Sequence, residues 1–181
     1  TIRRDNPSWV PHRYDGAISL LRPKVVPRSF ETGIDDWGVG WIGTDSDEGS
    51  YPDGKPVLTI DRIVSFEPPK TDWQMVSEEM RRQVAAKASD DTLAIAYNEM
   101  VLYERAQLLL GTAEFLMAVA TAPQELELLL DKIAAYQRRL TEALMDAGAA
   151  GVRFTDDWGT QSSLFISPAS WRRLIKPRLK I

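Results

Sequence analysis

The sequence predicts an α/β fold with a parallel sheet, and three observations carry that prediction. From residue 73 onward, strand-like runs alternate with helical segments, as in βαβ units. The longest helical segment, residues 123–148, leads directly into the strand-like run "VRFTDD". Two acids stand at the end of that run. Because reactive groups gather at the C-terminal ends of strands in such sheets, we expect the functional site there.

Residues 1–73 are rich in proline, glycine and aspartate, and they predict loops with short strands such as "PVLTI" at 56–60. Large aromatic side chains in this region seek burial, so we expect it to be ordered. They include Trp9, Phe30, Trp37 and Trp41. Trp37 and Trp41 either wall a flat, ring-shaped ligand by stacking or anchor a long loop.

Helical periodicity begins with "DWQMVSEEMRRQVAAKA", residues 72–88, whose apolar residues recur at helical spacing. "DTLAIAYNEM", residues 91–100, alternates large and small side chains as a strand does. The mostly apolar segment 101–122 predicts one helix or a pair of helices.

The remaining segments carry clear start and stop signals. Pro123 opens the longest helix and Gly148 ends it. "GVRFTDD", residues 151–157, predicts a strand. "SPASWRRLIKPRL" then predicts a helix, with Ser167 as its cap and Pro168 in its first turn.

Composition and charge exclude several classes of function. A formal net charge of -4 provides no basic field for nucleic acid. The chain has no cysteine and a single histidine, His12, so we expect neither disulfides nor a zinc site of nitrogen and sulfur ligands. No apolar stretch is long enough to span a bilayer, and no signal-peptide pattern opens the chain. We therefore expect a cytoplasmic protein without nucleic-acid or membrane partners.

Two adjacent carboxylates, Asp156 and Asp157, stand where the last predicted strand ends. In a parallel sheet that position faces the mouth of the site, and two close carboxylates raise the pKa of one of them. The alternative is structural, because aspartate also caps the element that follows it. The neighbouring Trp158 and Gln161 favour a functional interpretation.

The segment "GVRFTDDWGTQSSLFISPASWRRLIKPRLK", residues 151–180, resembles the central segment of the uroporphyrinogen decarboxylase superfamily. The matching pattern is an acid, Trp-Gly, Ser-Pro, an aromatic residue and a Lys-Pro pair within the helix. The similarity extends backward through the glycine-centred and leucine-rich helices of residues 102–133. "IDDWGVGWIG" at 34–43 and "NPSWVPHR" at 6–13 resemble the corrinoid-dependent methyltransferase branch of that superfamily.

The resemblance implies a partial (β/α)8 TIM barrel, its N-terminal half, since a full barrel runs to about 250 residues. On that basis we expect residues 1–181 to form a single domain, with a loop-rich segment at 1–73 and barrel units at 74–181. A half barrel leaves sheet edges and an apolar interior uncovered. We therefore expect self-association or a missing second half.

For function, the resemblance implies methyl transfer linked to a corrinoid, on a small-molecule or corrinoid-protein substrate. The alternatives are uroporphyrinogen decarboxylation, and a non-catalytic truncated half-barrel that acts by association. The arginine-containing Met-Arg-Gln-Ala-Gly-Arg-Tyr motif of the decarboxylases is replaced here by "PHRYDGAISLLRP", which has Arg13 and Arg22 but not the motif. We expect no cofactor within this chain, while a corrinoid carrier and zinc belong to full-length members of the superfamily.

Individual site residues follow from the resemblance and from the strand-end position. The catalytic candidates are Asp156, Asp157 and Tyr103. The substrate-binding candidates are Trp158, Gln161, Asp36, Trp37 and Arg13. Tyr103 lies near a substrate-facing tyrosine of the decarboxylases, and its alternative is a buried tyrosine beside a surface Glu104. A basic helix face is expected to be solvated, with contact to phosphate or a corrinoid carrier as the alternative; it comprises Arg172, Arg173, Lys176, Arg178 and Lys180.

Overall fold

The computed structural model describes most of the chain, namely residues 18–24, 32–44, 50–87 and 92–180. The strands of this part are β1 (Ile18–Leu21), β2 (Gly33–Ile34), β3 (Gly40–Ile42), β4 (Tyr51–Pro52), β5 (Leu93–Asn98) and β6 (Gly151–Phe154). Its α-helices are α1 (Trp73–Lys87), α2 (Tyr103–Leu110), α3 (Thr112–Thr121), α4 (Pro123–Asp146) and α5 (Pro168–Leu174).

Strands β1, β5 and β6 form a parallel sheet with β5 in the centre. Leu21 pairs with Ala96, which in turn pairs with Val152. Helix α1 connects β1 to β5, and helices α2 to α4 connect β5 to β6. The predicted α/β class with parallel strands is therefore confirmed. The first strand lies inside the segment predicted to be loop-rich, because four residues are too few to show a period of two.

The two faces of this sheet differ in what covers them. Ala94, Ala96 and Asn98 point toward the helices and are buried. Their small side chains let α1 and α4 pack closely on that face. On the opposite face Ile18 and Leu93 remain 58% and 56% exposed. The sheet thus has one helix-covered face and one open face.

Helix α4 organises the core. Its apolar positions, predicted from the sequence, are buried: Leu126, Leu129, Leu130, Ile133, Leu140 and Leu144. Each such side chain contributes about 1.5–3 kcal/mol when fully buried. The helix starts with Pro123 in its first turn and is followed by Gly148 at φ 90, a left-handed conformation that favours glycine. No helix in the described parts of the chain is both long enough and apolar enough to cross a bilayer.

The segment predicted as one helix or two at 101–122 is a pair, broken at Gly111. Gly111 has φ 79, which a residue with a side chain rarely adopts. The break leaves the carbonyl of Leu109 free to accept hydrogen bonds from the backbone N–H groups of Val57 and Leu58, at 2.8 and 2.9 Å. The prediction of a strand at 56–60 is therefore wrong, because this stretch binds a helix end and not a neighbouring strand.

Strands β2, β3 and β4 form a small antiparallel sheet. Lys132 of α4 holds the chain between this sheet and α1. Its Nζ donates to the carbonyl oxygens of Ile63, Val64 and Phe66 at 3.2, 2.9 and 2.5 Å. These bonds fix the chain at Ile63, Val64 and Phe66 to helix α4.

The predicted cap of the last helix is confirmed, since Ser167 Oγ accepts from the backbone N–H of Ser170 at 3.1 Å. The helix is shorter than predicted: α5 ends at Leu174, and the chain continues as a 3-10 helix at Lys176–Leu179. Pro177 lacks the N–H that a continuing α-helix needs. The basic face is mostly exposed, but Arg178 is half-buried and its Nε donates to Asp131 at 2.6 Å.

Candidate functional site

The C-terminal ends of the three parallel strands bring charged side chains to one edge of the sheet. Arg22 follows β1, Glu99 follows β5, and Asp156 and Asp157 follow β6. Arg22 Nη1 lies 2.5 Å from Glu99 Oε2, so an ion pair joins the first two strand ends. This is the edge at which the sequence predicted the site.

Asp156 binds the N-terminus of α2. No local side chain caps this helix after Leu102. Asp156 Oδ1 accepts from the backbone N–H of Glu104 at 2.9 Å and from that of Leu102 at 3.4 Å. Its Oδ2 accepts from the backbone N–H of Tyr103 at 2.9 Å and from Trp158 Nε1 at 2.7 Å. Because a carboxylate satisfies free donors and complements the helix dipole there, Asp156 fixes α2 to the end of β6.

The two adjacent carboxylates occupy different environments. Asp156 lines a cavity of about 440 Å³ beside α4, whereas the exposed Asp157 lines a separate groove. Burial raises the pKa of Asp156, and its hydrogen bonds from Trp158 and the backbone of α2 partly offset that rise. The sequence predicted a raised pKa from carboxylate pairing, but burial is the main cause.

The groove has a volume of about 460 Å³ and lies between the antiparallel sheet, α2 and the loop after β6. Trp41 and Tyr51 contribute aromatic walls, and the charged side chains that line it are Lys55, Glu104 and Asp157. Concave surfaces with apolar walls and a few convergent polar groups are typical of small-molecule sites. We identify this groove as the candidate functional site.

Glu104 contributes a carboxyl group to the groove, and its pKa is raised. Burial raises it most, and the charges of Asp156, Asp157 and Glu99 raise it further, while the backbone N–H of Asp157 lowers it by hydrogen bonding. A half-buried carboxyl group whose pKa burial raises suits a proton-transfer role. In the sequence analysis, the alternative to a substrate-facing Tyr103 was a buried Tyr103 beside a surface Glu104.

Tyr103 is fully buried in α2. Its ring packs edge-on against Phe115 and stacks with Phe165, at centroid distances of 4.8 and 6.3 Å. Burial, with the charges of Asp156 and Asp157, raises the pKa of its hydroxyl to about 12. The hydroxyl has no hydrogen-bond partner among the described residues. The satisfied hydroxyl that the structural alternative required is therefore not found.

Trp158 and Gln161, predicted to bind substrate, are separated by the structure. Trp158 is half-buried, lines the cavity beside α4 and packs against Trp171 with ring centroids 5.0 Å apart. Gln161 is exposed in the turn that precedes the bridge residue Leu164 and lines neither the cavity nor the groove.

The predicted pair Asp36 and Trp37 stands next to a buried ion pair that the sequence did not indicate. Asp36 is exposed, whereas Asp35 Oδ2 accepts from Arg105 Nη1 at 2.8 Å. Asp35 also accepts from the backbone N–H of Trp37 at 2.9 Å and from Trp41 Nε1 at 3.1 Å. Trp37 is only 5% exposed and stacks in the core, which is the arrangement of a loop anchor.

Some predictions fall outside the part of the chain that the structure describes. Arg13 and His12 lie among residues that it leaves out. Within residues 18–24, 32–44, 50–87 and 92–180, no cluster of three or more His, Cys, Asp or Glu side chains could hold a metal ion. The described residues therefore do not fit the zinc site that the resemblance implies for full-length members.

The comparison with solved structures yields a clear match. The fold is similar to that of a methyltransferase. That protein, from Methanosarcina mazei, superposes with a TM-score of 0.63 over 93% of this chain, at 18% sequence identity. The chain covers 48% of it, and so spans about half the length of the solved structure that it matches. At this identity the similarity concerns the fold. No family model matches the sequence, and no curated protein is significantly similar to it.

Proposed function

We propose that the chain is part of a (β/α)8 barrel enzyme of the uroporphyrinogen decarboxylase superfamily that transfers a methyl group in partnership with a corrinoid protein. The observation that carries the proposal is the structural match to a methyltransferase across 93% of the chain. The strand order supports it, because β1, β5 and β6 follow one another in the sheet as successive strands of a barrel do. The acidic groove lies at the C-terminal edge, where barrel enzymes have their sites.

In this proposal the groove residues have separate roles. The carboxylate of Glu104, whose pKa burial raises, accepts the proton that the acceptor thiol loses as its sulfur takes the methyl group. Asp157, exposed at the same groove, orients the substrate. Asp156 acts through α2, because its oxygen atoms already bind backbone N–H groups and the indole of Trp158.

The test is transfer of the methyl group of methylcob(III)alamin to 2-mercaptoethanol by the complete barrel, whether further strands come from a longer chain or from a second copy of this one. The reaction is monitored by the change in the cobalamin absorbance spectrum. We expect turnover above the rate without protein, and a loss of at least about tenfold in Glu104→Gln, since general acid–base catalysis contributes roughly 10²–10⁴-fold. Glu78→Gln is the matched control, because Glu78 is exposed on α1 and, among the described residues, its side chain bonds only Gln74. Equal rates for the two variants would exclude Glu104 from the reaction.

The second candidate function is that of a non-catalytic half-barrel that acts by association. It is favoured by the open face of the parallel sheet, where Ile18, Leu20 and Leu93 are 58%, 49% and 56% exposed. Parallel sheets are almost always covered on both faces. A folded sample that associates but transfers no methyl group supports this candidate over the first.

Both candidates share a structural proposal about partners. We propose that further barrel strands cover the open face, either from a second half of the protein or from another copy of the chain. The corrinoid carrier, and any zinc that the reaction uses, would then be held outside the residues described here.

A further inference from the structure

The open face of the parallel sheet changes character along the strands. Because side chains alternate between faces, Ile18, Leu20, Leu93 and Ile95 share the open face toward its N-terminal end. Toward the C-terminal end the same face carries Tyr97 and Arg153, which are paired in the register of β5 and β6. Arg22, directly after β1, continues this face. The apolar rows thus end in a cationic and aromatic patch, Arg22–Tyr97–Arg153.

The patch is organised around the ring of Tyr97. The guanidinium carbon of Arg22 lies 4.8 Å from the ring centroid, and that of Arg153 lies 5.1 Å from it. Such cation–π contacts contribute about 0.5–1 kcal/mol each at exposed sites. These contacts orient the two guanidinium groups, and they do not use the N–H groups as hydrogen-bond donors to the ring.

The two guanidinium groups are not equivalent. Arg22 forms the ion pair with Glu99, which limits its freedom. Arg153 is exposed, and among the described residues no carboxylate lies within ion-pair distance of it. A planar guanidinium whose fork is open to solvent binds carboxylates and phosphates in bidentate fashion.

We propose that this patch binds the carboxylate of a small organic substrate, with Arg153 as the principal contact and Arg22 held beside it by Glu99. The proposal rests on the proposed function, because it assigns a substrate class to the same edge of the sheet. Arg153 is then a substrate-binding residue at the mouth, while Glu104 and Asp157 serve the reacting end.

A carboxylate fits this position better than a phosphate for two reasons. The N-terminus of α2, which would suit a phosphate, is already occupied by Asp156. Glu99, Glu104 and Asp157 also stand at the same edge, and their negative charge opposes a dianion more strongly than a monoanion.

The experiment is an NMR titration of the ¹⁵N-labelled 181-residue chain with benzoate, benzyl alcohol and inorganic phosphate at constant ionic strength. We expect benzoate to shift the Arg153 Nε–H and Tyr97 amide resonances saturably, and benzyl alcohol, which lacks the charge, to leave them in place. Tighter binding of phosphate than of benzoate would overturn the assignment to a carboxylate.

Variants identify the residue responsible. Arg153→Gln should weaken benzoate binding at least tenfold, and Arg153→Lys should retain part of it, since an ammonium is a point charge without the fork. Arg138→Gln is the matched control, because Arg138 is an exposed arginine on α4 whose side chain is 60% exposed. Benzoate affinity unchanged in Arg153→Gln overturns the proposal.

The outcome is separable from that of the methyl-transfer assay. Benzoate binding that depends on Arg153, together with no methyl transfer, refutes the proposed function and supports the anion site. Methyl transfer with a benzoate affinity that does not depend on Arg153 supports the proposed function and refutes the anion site.

Discussion

Replacing Asp156 with asparagine tests whether this carboxylate is the cap that fixes α2 to the end of β6. The substitution keeps the size of the side chain and exchanges one acceptor oxygen for an amide nitrogen, which donates. Whichever way the amide turns, at least one of the two 2.9 Å bonds from the backbone N–H groups of Tyr103 and Glu104 is lost.

The magnitude follows from those contacts. A buried N–H left without a partner costs about 1–3 kcal/mol, and loss of the negative charge at a helix N-terminus adds about 0.3–1 kcal/mol. The neutral amide is cheaper to bury than the carboxylate, whose pKa burial raises, and this offsets part of the loss. We expect Asp156→Asn to lower the free energy of unfolding by about 2 kcal/mol.

Asp157→Asn is the internal control, because this neighbouring carboxylate is exposed. Within the part of the chain that the structure describes, it accepts one bond, from the backbone N–H of Gly159 at 3.2 Å. Its effect should stay within about 0.5 kcal/mol. Urea unfolding followed by circular dichroism gives both values, and an unchanged slope shows that the denatured state is unaltered. If Asp156→Asn costs no more than Asp157→Asn, the capping role is refuted.

Three further substitutions test other parts of the structure. Asp35→Ala, which breaks the buried pair with Arg105, should destabilise the fold by about 3 kcal/mol or more in urea unfolding, whereas Asp36→Ala at the exposed neighbour should stay within about 0.5 kcal/mol. Because the pKa of Glu104 is raised, its ionisation in the folded state lowers stability as pH rises through the carboxyl range. Glu104→Gln should therefore raise the melting temperature, relative to the parent chain, more at about pH 7 than at about pH 4. An equal gain at both pH values contradicts this. Tyr103→Phe removes a buried hydroxyl without a partner among the described residues and should be neutral or stabilising by up to about 1 kcal/mol, so a clear loss of thermal stability would show that the hydroxyl is bonded.

The long amphipathic elements could be predicted from the sequence, because their signals are local. In α4 the leucine spacing, Pro123 and Gly148 define the helix, and the structure buries the predicted face. Ser167 is likewise recognised as a cap from its position before Pro168. These features depend on the chain within a few residues, which is the range that periodicity and capping patterns report.

The features that could not be predicted depend on contacts between distant residues. Asp156 lies 53 positions from Tyr103, whose backbone N–H donates a hydrogen bond to it. Arg105 lies 70 positions from its ion-pair partner Asp35. Neither partner can be chosen from sequence, since Asp36 is as plausible as Asp35 until the turn fixes which side chain faces inward. A signal for the Arg22–Tyr97–Arg153 patch was present, because Tyr97 continues the alternation of Leu93 and Ile95, but the pairing with Arg153 requires the register.

The open face itself indicates how it is covered. Ile18, Leu20 and Leu93 are exposed apolar side chains that favour apolar contact. Arg153, at the C-terminal end of the same face, is an exposed charge that requires water or an anion. A second sheet laid flat across the whole face would bury Arg153, and burying a charge that no carboxylate of the described residues pairs is costly. Curvature of the sheet into a barrel fills the apolar end with side chains and leaves the polar end as an open mouth. The distribution of charge on this face therefore favours closure by further strands over face-to-face association. In the proposed barrel, the carboxylate site and the groove would both open at the C-terminal ends of the strands.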